Sequence, residues 1–167
     1  MANDKVFASS LWHRLLAAGD SDFPANQVHL TLAELKASVA RDLEDMLNTR
    51  IAFPHGHLAA FPLCRASVYN FGVTDFAALC LTSSEDRQRI CSYIEEAIGR
   101  FEPRLGDVSA TVLMDDGAIN RLDFVISGML KAHSTAQRVD FNARLQPSTL
   151  HYSVSLDHLS RSRKAVA

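Results

Sequence analysis

The spacing of apolar residues changes once along this chain. From Thr31 to about Arg50, and again from Ser83 or Ser84 to Phe101, it follows the helical period, and beyond Val108 it follows the period of a strand. Leu32, Leu35, Val39, Leu43, Met46 and Leu47 share one helical face, with Lys36, Arg41, Glu44 and Asp45 opposite. Thr31 and Glu34 make a T-x-x-E capping box, so a helix is predicted from Thr31 to about Arg50. A second helix is predicted from Ser83 or Ser84, with Glu85 and Asp86 in its first turn and an apolar stripe of Ile90, Ile94, Ala97, Ile98 and Phe101. Pro103 ends it, because the residue before a proline is pushed out of the helical region.

After the proline come four strand-like runs: "VSATVLM", "NRLDFVISGMLKA", "RVDFNARL" and "TLHYSVSL". Leu122, Phe124, Ile126 and Leu130 alternate with Arg121, Asp123, Val125 and Ser127 in the second run. Val139, Phe141, Ala143 and Leu145 alternate with polar positions in the third, and Leu150, Tyr152, Val154 and Leu156 in the fourth. Short connections, among them a "DDG" turn after the first run, favour an antiparallel meander. The expected fold class is α+β: N-terminal helices packed on a C-terminal, four-stranded, mainly antiparallel sheet. "SLWHRLLAA" is predicted as a further short helix and "GDSDFPANQ" as loop. Residues 51–82 read as irregular structure, residues 1–9 as a disordered tail, 10–158 as a single domain and 159–167 as a basic tail.

A length of 167 residues, 47% hydrophobic and 22% charged, fits one globular domain with a real core. A net charge of -2 argues against a nucleic-acid binder. No apolar run approaches a membrane span, and the first residues lack the apolar stretch of a secretory signal, so a cytoplasmic location is expected. Cys64, Cys80 and Cys91 form no CxxC pair and are expected as buried structural thiols.

Candidate chemistry is thin. His55 and His57 sit in "PHGH" without a third ligand implied by spacing, so no metal site is expected. There is no G-x-S-x-G elbow and no Gly-rich phosphate loop, so neither a nucleophile nor a cofactor is implied. Glu44–Asp45, Glu95–Glu96 and Asp115–Asp116 are adjacent acids, read as solvated charges rather than a pair facing across a cleft. "RFEPRL" is the unusual stretch, because it sets an acid and a base around a proline between Phe101 and Leu105. Two readings stand: Glu102 and Arg104 are a local ion pair at the helix end, or Arg104 sets the helix-to-sheet junction or meets a partner.

Three stretches in order, "SVARDLEDMLNTR", "SVYNFGVTDF" and "EEAIGRFEPRL", resemble the lysozyme-like baseplate wedge family of contractile injection machines, and within it the type VI secretion branch. The residues that carry the resemblance include Asn48, Thr49 and Arg50, then Asn70, Gly72 and Asp75, then Glu102, Pro103, Arg104 and Leu105. Thr74 departs from the family, where a proline is common, as does "QPST" before the last strand. The resemblance implies a structural baseplate subunit without catalysis, at a membrane-docked baseplate. Its partners would be other wedge subunits and the contractile sheath, the latter joined by strand exchange at an exposed sheet edge. It makes Glu102, Pro103, Arg104, Asn48, Arg50, Asn70 and Asp75 the candidate assembly residues, and Arg104→Ala is then expected to spare the monomer and weaken assembly. A regulatory anti-adaptor-like binder and a peptidoglycan hydrolase are the alternatives.

Overall fold

The structure is a computed structural model that describes residues 7–8, 29–53, 56–76, 78–80, 82–113, 123–132, 135–146, 149 and 151–156. Outside these lie the predicted helix at 10–18, His55, the "DDG" turn, Leu122, Leu150 and the basic tail. Phe7 and Ala8, within the stretch expected to be a disordered tail, form β1 (Phe7–Ala8) and pair antiparallel with β2 (His29–Leu30).

Helix α1 (Leu32–Asn48) starts on the predicted capping box. The Thr31 hydroxyl accepts from the Glu34 amide, and the Glu34 carboxylate accepts from the Thr31 amide at 2.7 Å. It ends two residues short of Arg50 because Thr49 turns extended. The irregular region holds one short helix, α2 (Pro62–Arg65), with Pro62 at its first turn where a missing N–H does no harm, and a 3-10 turn at Val68–Asn70. Helix α3 (Ser84–Phe101) is capped by Ser83, whose hydroxyl accepts from the Asp86 amide.

Strands β3 (Leu105–Leu113), β4 (Asp123–Ala132), β5 (Thr135–Gln146) and β6 (His151–Leu156) form an antiparallel sheet in that order. Strand β3 begins three residues before the predicted run, since Leu105 already pairs with Leu130. A register shift between Gly106 and Ser109 puts Asp107 at φ 48. The predicted inward positions hold: Phe124 lies opposite Ala143 and Ile126 opposite Phe141, and all four are buried. Helix α3 packs along β3 and α1 along β6. Val39, Leu43, Met46 and Leu47 of α1 and Ile90, Ile94 and Ile98 of α3 join the same buried cluster as the sheet. Each such side chain contributes roughly 1.5–3 kcal/mol by leaving water.

Tyr152 is 3% exposed, tilted against Phe124, and its hydroxyl has no hydrogen-bond partner. Burial pushes its pKa up to about 12, against a small opposing pull from the Arg50 charge. A folded pKa above the unfolded value of about 10 means stability is full below pH ~10 and falls as the pH rises towards 12. Tyr152→Phe is therefore expected to remove that alkaline loss. It should also be neutral or stabilising by up to about 1 kcal/mol at pH 7, because a buried hydroxyl without a partner only adds desolvation. Urea unfolding of both proteins at pH 7 and across pH 10–12 checks this.

Candidate functional site

The turn after α3 places the "FEPRL" residues. Glu102 is the C-cap, its amide donating to the Ile98 carbonyl at 2.8 Å, and Pro103 stands exposed beyond it. The Glu102 side chain points inward and is only 3% exposed. A carboxylate so deep needs a cation, and Arg104 supplies it. The Arg104 Nε donates to Glu102 Oε1 at 2.6 Å, and Nη2 donates to Glu102 Oε2, making a two-pronged pair. The same guanidinium reaches α1: Nη1 donates to Ser38 Oγ at 3.2 Å and Nη2 to Asp42. The Arg104 carbonyl accepts from the Lys131 amide of β4 at 2.8 Å. Burial alone would lower the Arg104 pKa, but hydrogen bonds and charge from Glu102, then Asp42, outweigh it and the net shift is upward. The cation is thus fixed at any ordinary pH, and one residue ties α3, α1 and the sheet together.

The other candidates gather around the end of α1 rather than at this junction. Thr49 is bridged to the loop below it: Val73 donates to the Thr49 carbonyl at 2.9 Å, and Ile51 donates to the Val73 carbonyl at 3.1 Å. Gly72 adopts φ 112, and a Cβ there would lie 2.4 Å from the Thr49 oxygen, so "NTR" and "NFG" interlock at a place only glycine fits. Asn70 is buried and donates to the Arg65 carbonyl at 3.2 Å. Arg50 caps α1 by donating to the Leu47 carbonyl at 2.7 Å and lies over the Phe76 ring, beside the exposed Asp75.

Asn48 acts across the fold. Its Nδ2 donates to the Tyr152 carbonyl at 2.9 Å and its Oδ1 accepts from the Tyr152 amide at 2.7 Å. Glu44, expected as a solvated charge, instead accepts from the Val154 amide at 2.8 Å. Glu95, read the same way, accepts from the Ala110 amide of β3 at 2.8 Å. The edge of β6 is therefore not free at Tyr152 and Val154. The alternation of the sequence marks which strand groups face inward, but the edge they leave open is met only once the helices are placed. Glu96 is clamped between Arg65 and Arg100, each at 2.5 Å. Burial alone would raise its pKa, but the Arg65 hydrogen bond and the two positive charges hold it low.

The expectation of buried thiols fails for two cysteines. Cys64 and Cys80 are exposed because α2 and the loop before α3 lie on the surface, and only Cys91 is partly buried. The same surface segment exposes Phe61, Leu63, Val68 and Tyr69, at 60–86%, which periodicity did not signal. His57 stacks on Phe53. Among the described residues no group of three or more His, Cys, Asp or Glu could hold a metal ion, and no helix is long and apolar enough to cross a membrane.

Removing Arg104 strands a buried carboxylate. Arg104→Ala is expected to cost about 3–5 kcal/mol in urea unfolding, and Glu102→Leu combined with Arg104→Met to recover most of the loss. Gly72→Ala, which combines strain at positive φ with a backbone clash, should cost roughly 2–4 kcal/mol. A loss under about 1 kcal/mol for Arg104→Ala would mean a solvated, weak pair.

Comparison with known proteins gives three findings. No curated protein matches the sequence. A chain of the solved structure "The baseplate complex from the type VI secretion system" is similar at 14% identity and a TM-score of 0.47, covering 68% of this chain and 96% of that one. The family model of baseplate wedge protein gp25 matches residues 33–135, more than half the chain and the span that holds both clusters above. The chain belongs to the baseplate wedge protein gp25 family, whose members are structural subunits of a baseplate.

Proposed function

We propose that this protein is the TssE-type wedge subunit of a type VI secretion baseplate, that it binds other wedge subunits and the contractile sheath, and that it catalyses nothing. The observation that carries the reading is the family match over residues 33–135 together with the ordered run of "NTR", "NFG" and "FEPRL" within it. The geometry supports a mechanical role. Glu102, Arg104, Asn48 and Asn70 spend their polar groups inside the chain, and so hold the shape of two turns. Pro103, Arg50 and Asp75 stand exposed on those turns and are the residues assigned to partners. Phe61, Leu63, Val68 and Tyr69 add an apolar surface of the kind that assembling subunits cover.

The acids support the same reading. Asp42, Glu44, Glu95, Glu96 and Glu102 accept hydrogen bonds from amides or guanidiniums of this chain. A glycosidase instead needs two carboxyls facing across a cleft. A sheath strand that adds to β6 has to displace Asn48 and Glu44 from Tyr152 and Val154 first.

Affinity purification of the tagged protein from its own cells, read by mass spectrometry, tests the proposal. Large wedge subunits and sheath proteins are expected to co-purify. A variant combining Asp75→Ala with Pro103→Ala should keep the parent's thermal midpoint and recover several-fold less of them. Recovery of a response regulator alone, or of no partner alongside cleavage of purified cell wall, would overturn it.

A further inference from the structure

At each edge of the sheet, side chains from the helix that lies along it take outward strand amides. On β6, the outward amides of Tyr152 and Val154 go to Asn48 and Glu44 of α1, and Asn48 also takes the outward Tyr152 carbonyl. On β3, the outward amide of Ala110 goes to Glu95 of α3, and Val112 gives a backbone hydrogen bond to the Cys91 thiol. In each case residues four apart on a helix serve residues two apart on a strand. The two spacings match, since four helical residues rise about 6 Å and two strand residues about 6.6 Å. Both helices run antiparallel to the strand they serve, so the pattern is the same at the two edges.

The edges differ in what they carry themselves. Strand β3 has a register shift and an aspartate at positive φ, both devices that spoil edge pairing. Strand β6, "HYSVSL", has no Lys, Arg, Asp, Glu or Pro and no register shift against β5. An uncharged, regular edge strand invites another strand. It is also self-complementary. Two copies related by a two-fold axis at Ser153 would set Tyr152 of one opposite Val154 of the other, and the outward groups of both would be exchanged.

We propose that Glu44 and Asn48 are edge guards: they occupy the backbone groups of Tyr152 and Val154 and thereby keep β6 from pairing with β6 of a second copy of this chain. The occupant they exclude is a copy of the chain itself, whatever larger assembly the protein joins.

The test is sedimentation velocity of the full chain over about a hundredfold concentration range. The parent is expected to stay monomeric, and Glu44→Ala with Asn48→Ala to dimerise, with at least a tenfold gain in association. Adding Ser153→Lys to that variant should return it to monomer, because the two lysines meet across the axis. A guard variant that is folded and monomeric at every concentration would overturn the proposal and leave the bulk of α1 as the barrier. Should the double variant fail to fold, amide exchange in the parent decides. Slow exchange at Tyr152 and Val154, lost at Val154 in the single variant Glu44→Ala, supports the guards, and exchange at the rate of an open edge overturns them.

Discussion

A carboxylate buried where α3 meets the sheet is the constraint on which the architecture rests. Glu102 cannot stay charged at that depth without a cation, and the chain supplies one two residues later, across a proline that has already stopped the helix. Arg104 has donors to spare: Nη1 reaches Ser38, and Nη2, already on Glu102, also reaches Asp42, which brings α1 to the same point. The two helices touch the sheet at opposite edges, so a single guanidinium near their approach fixes their relative placement. The exposed turn at Pro103 is held in place by the same contacts on either side of it.

The same economy governs the polar face of each helix. Glu44, Asn48 and Glu95 lie off the apolar stripe, where charge usually means solvent. They serve instead as acceptors for strand amides that no neighbouring strand can reach. A family of baseplate subunits has a use for such finish. A part that joins others through defined surfaces gains from having its strand edges occupied.

Much of the fold was legible in the sequence, for identifiable reasons. Both long helices carried their caps in sequence, Thr31 with Glu34 and Ser83 with Asp86, and the switch of period at the proline marked where helices give way to sheet. Long-range polar partnerships were not legible. Glu44 and Val154 are 110 positions apart, and Arg104 and Asp42 are 62 apart, and no local pattern joins such pairs. The exposed apolar turn at 61–69 lacked a period altogether, which also hid that Cys64 and Cys80 lie at the surface. The candidate motif residues were found by resemblance, and the structure separates them into a junction around Arg104 and an interlock around Thr49 and Gly72.

On the proposed function, these motif residues hold the subunit's own shape and leave the turns between them to meet partners. A density map of the assembled baseplate, at a resolution that shows arginine side chains, tests it most directly. The Arg104 guanidinium is expected still on Glu102 and Asp42 of its own chain, with Pro103 and Asp75 against a neighbouring subunit. An Arg104 turned outward onto a neighbour's carboxylate, with Glu102 released from it, would instead make the motif a direct partner contact.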